Sequence, residues 1–225
     1  MSPFSGDDPT NVTRNYEHLT SIIDVSRSRI VLPYQTHGDK VLVIDENFER
    51  LTDAKQTEVL NGVDALVTNC RNLCVGITTA DCVPLLFYDK QQKVIGAAHA
   101  GWRGTCRKIA GLTLETMKQT FGCDVADIEV VIGPSISVKA YNVGEEVSDA
   151  FRAEGFPVDR IFSKQNGLLY LDLWQANCWL LEQAGLSADR IEISGYCTFT
   201  EHERFFSARR LGIKSGRLLS GIMLK

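Results

Sequence analysis

The sequence predicts a single α+β domain in which mixed β-sheets are flanked by helices. Three observations carry that expectation. Strand-like runs cluster in the first half, and amphipathic helical segments interleave only later. No Pro/Gly/Ser-rich linker, charge block or short-period repeat divides the 225 residues, so positions 1–225 read as one domain.

The elements follow in order. Asp7-Asp8-Pro9 ahead of NVTRNYEHLTSII reads as a capped helix start, with Val12, Tyr16, Leu19 and Ile23 on one face. RIVLPYQTH and VLVID read as short strands separated by a turn at His37-Gly38-Asp39-Lys40. DALVTN, LCVGITT, VPLLFYD and KVIGAAH are four more strands, rich in apolar and β-branched residues, with a hairpin loop at 89–92 between the last two. Thr105 is the expected cap of a helix running to about Phe121, with Ile109, Leu112, Thr116, Met117 and Thr120 near one face. IEVVIGP is a strand, and GEEVSDAFRAEG a short acidic-headed helix stopped by Gly155. LLYLD precedes a helix capped by Asp172, and RIEISG and GRLLSGIML supply the last strands.

Composition narrows the functional class. Apolar residues make up 44% and charged residues 23%, an ordinary globular balance. A net charge of −4 gives no basic excess to drive binding to nucleic acid or an acidic membrane. No apolar run approaches the ~18–20 residues of a membrane span, and the first residues lack the basic-then-apolar pattern of a signal peptide. Seven cysteines in no framework spacing fit a reducing compartment, so the expected location is cytoplasmic.

Three residues stand out as metal ligands: His37 in QTHG, Cys82 in TTADCVP and His99 in AHAGWRG. Each sits at a strand end or in the turn beside one, where separate strands converge at one sheet edge. Two imidazoles and a thiolate form a borderline-soft set suited to zinc, with copper possible, and three protein ligands leave a fourth position open for chemistry. Spacing alone leaves the competing reading in place, a buried cysteine acting as a small hydrophobe beside structural histidines. Arg103 lies between Gly101 and Gly104 at a helix start, where an anion or a surface carboxylate would each fit. Phe205, Phe206, Ser207, Arg209 and Arg210 suit a planar ring bearing phosphate, or equally core and solvated surface.

Taken together, QTHGDKV, DALVTN, GITTADCVPLLFYD, AAHAGWRGT, IGPSI, YNVGEEV and CTF…FFSARR…GR resemble the bacterial YfiH-type family. That family is also called the laccase-domain or multicopper polyphenol oxidase family and is regarded as a group of purine nucleoside phosphorylases. The resemblance implies a mixed α/β domain related to the cytotoxic-necrotizing-factor deamidase fold. It also implies zinc held by His37, Cys82 and His99. Two departures stand out. Family members begin with an upstream F-S-T-R-x-G-G segment that this chain lacks, and Ser135 and Ala140 stand where cysteines are common.

The activity the resemblance implies is phosphorolysis of adenosine, inosine, guanosine or methylthioadenosine, with adenosine deamination as a second activity. In deamination a zinc-activated water attacks adenine C6 while a carboxylate moves the proton. Asp81 is the nearest candidate in sequence, although strand alternation opposes Asp81 to Cys82. Expected substrate contacts are Gln35, Arg103 and Arg209, with nucleoside and phosphate as partners and the oligomeric state, monomer or homodimer, undetermined. Two other readings compete: a metal-free hydrolase with Cys82 as nucleophile and His99 as base, and a nucleoside-binding protein of weakened activity. A blue multicopper oxidase is excluded by count, because four histidines cannot furnish its copper sites.

Overall fold

The computed structural model describes residues 8–225. Helix α1 (Pro9–Ile23) starts as its sequence directs: Asp8 accepts from the Thr10 amide at 2.7 Å and Pro9 opens the first turn. Asp7 lies outside the described residues. Strand β1 (Ile30–Val31) is shorter than the run RIVLPYQTH suggested. Pro33 has no amide to donate, and the chain reaches β2 (Val41–Ile44) through an irregular stretch that carries His37 at φ 60°. Two short helices, α2 (Glu46–Glu49) and α3 (Asp53–Leu60), were not anticipated.

The anticipated strands follow as β3 (Ala65–Thr68), β4 (Cys74–Thr79), β5 (Val83–Asp89) and β6 (Val94–Ala100). Asp89 ties the hairpin between β5 and β6 by accepting from the amides of Gln91 and Gln92. The next helix is not one unit capped by Thr105. It is α4 (Trp102–Cys106), begun at Gly101, and then α5 (Ile109–Phe121), separated by Lys108 at φ 65°. Thr105 sits inside α4, buried, with its hydroxyl on the Ala100 carbonyl. The break also turns the face of α5: Ile109, Ala110, Thr113, Leu114 and Met117 are buried, and Leu112 is exposed.

The remainder runs β7 (Ile128–Ile132), β8 (Asn142–Val143), α6 (Glu145–Ala153), α7 (Val158–Ile161), β9 (Phe162–Gln165), β10 (Leu168–Leu171), α8 (Leu173–Gln183), β11 (Ile191–Ile193), α9 (Ala208–Leu211) and β12 (Leu218–Met223). Asp172 caps α8 through the Gln175 amide as its position implied.

Three mixed or antiparallel sheets organise these elements. The largest has the order β11-β7-β5-β6-β3-β2, parallel at its two outer pairs and antiparallel within. A second, β1-β4-β12, lies against it, and a third, β8-β10-β9, is antiparallel. The strand alternation sorts the core into layers. Ala65, Val67, Leu85, Phe87 and Ala98 face α5 and α8, whereas Leu66, Ile95 and Ala97 face Val75 and Ile77 of the second sheet. Helix α1 closes the far side, packing Tyr16 against Ile30, Leu32 and Cys74. Because β6 is covered on both faces, all seven of its residues are buried, and His99 is carried into the interior with them.

No helix among the described residues is long and apolar enough to cross a membrane. The register of α5 gives a direct check. Leu114→Ala should lower unfolding stability by about 2–5 kcal/mol in urea titration. Leu112→Ala, on the exposed face, should move it by roughly 0.5 kcal/mol or less. Equal losses would contradict the observed face.

Candidate metal centre

The three ligand candidates arrive from three separate pieces of chain. His37 comes from the irregular stretch before β2, Cys82 from the turn entering β5, and His99 from near the end of β6. Antiparallel pairing places His99 opposite Pro84, two residues beyond Cys82. The donor atoms of all three lie within 4.8 Å of one another. The two imidazoles meet edge to face at 4.8 Å. His99 is buried, Cys82 half-buried and His37 exposed, so the cluster runs from the interior to the surface. His18 on α1 and His202 near the C-terminal end do not join it.

The glycines of HAGWRG are explained by close approach. A β-carbon on Gly101 would lie 2.8 Å from the Cys82 sulfur, and one on Gly104 would lie 3.1 Å from the carbonyls of Gly38 and His99. A side chain at either position would push into the cluster or its supporting backbone.

Beneath the cluster sits Asp64, a residue the sequence reading passed over. It is fully buried, yet five hydrogen atoms point at its carboxylate. His99 Nδ1 donates to Oδ1 at 2.8 Å and the His37 amide does so at 3.0 Å. The Gly38 and Thr36 amides reach Oδ2 at 2.7 and 3.1 Å, with the Thr36 hydroxyl at 3.5 Å. A signal for it existed in the sequence, a lone carboxylate directly before the apolar run ALVT. A buried charge of that kind requires partners.

Electrostatics follow from this packing. Burial opposes charge on Asp64, but His99 and the turn amides hold its carboxyl below the usual range. Burial likewise disfavours the Cys82 thiolate, and the adjacent His99 and His37 overcome it, lowering the thiol to about 6. His99 is raised to about 9 by Cys82 and Asp64 despite its burial. With Nδ1 committed to Asp64, His99 presents Nε2 to the cluster, the carboxylate–histidine arrangement that fixes a metal-ligating imidazole. Two imidazole nitrogens and a thiolate at this spacing fit a divalent, borderline-soft cation.

The cluster lines a cavity of about 710 Å³, a size suited to a small organic molecule. Arg103, Arg209 and Asp81 also line it. Arg103 stacks over Trp102 at 4.3 Å and has no carboxylate within ion-pair distance among the described residues. Arg209 lies over the ring of Tyr141 at 5.2 Å and donates to both oxygens of Asn142. Asp81, held at φ 89°, accepts from the Thr198 hydroxyl at 2.7 Å and from the Arg209 amide at 2.6 Å. Gln35 lines the cavity too, although its side-chain amide is paired with Thr78, donating to the carbonyl at 2.9 Å and accepting from the amide at 2.8 Å. Tyr141 is a cavity residue that sequence reasoning did not single out. Of the resembling family's two cysteine positions, Ser135 is buried and accepts from Trp174 at 2.7 Å.

Asp64→Ala provides the test of the supporting shell. Zinc affinity, read by competition with a chromogenic chelator, should fall about 10–100-fold with the three ligands intact. Unchanged affinity in a folded variant would show that Asp64 does not support the cluster.

Comparison with known proteins identifies the family. The family model described as multi-copper polyphenol oxidoreductase laccase matches residues 1–225. A purine nucleoside phosphorylase of Bacteroides thetaiotaomicron is 43% identical, over 99% of this chain and 83% of that protein. An adenosine deaminase, RL5, from an unknown prokaryotic organism is 41% identical, over 100% of this chain and 86% of that protein. The crystal structure of the hypothetical protein YfiH of Bacillus licheniformis superposes with a TM-score of 0.92 at 34% identity, covering 100% of this chain and 85% of that one. The chain therefore belongs to the multi-copper polyphenol oxidoreductase laccase family, the YfiH-type group that includes named purine nucleoside phosphorylases.

Proposed function

We propose that this protein is a zinc-dependent purine nucleoside phosphorylase that also deaminates adenosine. The observation that carries the proposal is the convergence of His37, Cys82 and His99, with Asp64 behind His99, in the wall of a cavity open to solvent. The names of the relatives supply the substrate class. Only one His/Cys cluster occurs among the described residues, which favours a single mononuclear centre over a multicopper one.

A zinc ion held by these three residues supplies Lewis acidity, for activation of water or for polarisation of a substrate oxygen. The protein's own groups supply the rest. Asp64 keeps the His99 proton on Nδ1 and fixes the ring. Arg103 and Arg209 place positive charge on the cavity wall, where phosphate is held for in-line approach to the anomeric carbon. In phosphorolysis a phosphate oxygen bonds C1′ as the C1′–N9 bond breaks. The purine departs with the electron pair and takes up a proton, leaving ribose 1-phosphate. In deamination water adds at C6 and ammonia leaves. We assign Asp81 to positioning rather than proton transfer, since both carboxylate oxygens already hold the chain around Thr198 and Arg209.

A second reading keeps Cys82 as a nucleophile. Cys82, His99 and Asp64 lie in the order of a thiol–imidazole–carboxylate relay, and the Cys82 thiol is lowered to about 6. His37 favours the metal reading, because a nucleophilic relay has no use for a second imidazole against the sulfur.

Chromatography of adenosine incubated with zinc-loaded protein separates the readings. Adenine should form only when inorganic phosphate is present, inosine should form without it, and a strong chelator should abolish both. Turnover that persists after complete zinc removal and stops on thiol alkylation would replace the metal mechanism with the cysteine one.

A further inference from the structure

Resting on the phosphorylase reading, we propose that the Tyr141 hydroxyl is the third donor of a phosphate-holding site whose other two donors are the guanidinium groups of Arg103 and Arg209. All three residues line both the cavity above the metal ligands and a shallower, open cleft beside it, so they form the threshold between the two.

Several features mark this threshold as a site built for an anion. Arg103 has no carboxylate partner among the described residues, and the hydrogen-bond acceptors of the Arg209 side chain are the two neutral oxygens of Asn142. Two guanidiniums left without counter-charge in a recess attract an oxyanion. Tyr141 lines the same cavity wall as Cys82, Arg103 and Arg209. Its hydroxyl has no hydrogen-bond partner among the described residues, which leaves it free to donate. The Tyr141 backbone is held by its carbonyl, which accepts from the Leu171 amide at 3.0 Å, and Arg209 lies over the ring at 5.2 Å. Burial keeps the phenol protonated, so it is a donor at neutral pH.

The nearby carboxylates do not neutralise the pair. Asp81 is bonded to Thr198 and to the Arg209 amide, and Glu146 folds back against Gly144 at the start of α6. Three donors on a half-open rim match the three terminal oxygens that phosphate keeps while its fourth approaches the nucleoside.

The test uses full-length, zinc-loaded protein and inorganic phosphate as the probe. Calorimetric titration should show one phosphate per chain, with affinity falling about tenfold or more in Tyr141→Phe and in Arg103→Gln. Tyr141→Phe keeps the ring under Arg209, and its thermal midpoint confirms folding. In steady-state assays its phosphate KM should rise to match, while its adenosine KM changes by less than about twofold. Variants that bind phosphate like the unmodified protein would overturn the assignment, as would both KM values rising together or no phosphate binding at all. Phosphate bound with these losses, but no purine released, would leave the site standing and instead overturn phosphorolysis. Phosphate-dependent purine release that is insensitive to both substitutions would do the reverse.

Discussion

The buried carboxylate of Asp64 is the constraint on which the site depends. A charge with no solvent contact must be fully hydrogen-bonded, and the five donors around Asp64 come from the two segments that carry the histidines. By binding the amides of residues 36–38 it shapes the turn that holds His37 at φ 60°. By binding His99 Nδ1 it fixes the other imidazole. One side chain thus sets the backbone of His37 and the ring of His99. Its position is itself secured by the sheet, since the His99 amide donates to the Asp64 carbonyl at 2.8 Å.

Around that constraint the fold contributes close approach and access. The strand ends of β5 and β6 bring Cys82 and His99 together, and Gly101 and Gly104 let the chain leave β6 without displacing either. The C-terminal segment then closes the cavity from the far side. Asp81, at a strained φ of 89°, draws Thr198 and the start of α9 towards it and so places Arg209 at the rim. The His/Cys cluster from the first hundred residues and cationic groups from the chain's end meet in one recess.

Much of this was legible in the sequence, for identifiable reasons. The convergence of His37, Cys82 and His99 could be read because each sits in or beside a short turn next to an apolar strand, so strand-end pairing places them together. The strands themselves were marked by their β-branched and apolar runs, and Asp8 and Asp172 announced their helices by local capping chemistry. What escaped was non-local or masked by a local break. Asp64 acts on residues 26–28 and 35 positions away, so its role exists only after the sheet has formed. Thr105 resembled a cap, but Lys108 in a left-handed conformation starts a new helix, which moves the buried stripe from Leu112 to Leu114. Helices α2 and α3 were missed because the segment is short and polar, although Asp45 and Thr52 do cap them. Tyr141 heads the YNVGEEV stretch but nothing local marked it as a cavity residue; its place on two adjoining cavities appears only in the folded chain.

The most direct measurement of the central claim is zinc K-edge X-ray absorption on the zinc-loaded protein. The account predicts one sulfur at about 2.3 Å and two imidazole nitrogens at about 2.0–2.1 Å, with a light atom completing four-coordination. A spectrum fitted by nitrogen and oxygen alone would contradict it, because Cys82 would then lie outside the metal's coordination sphere.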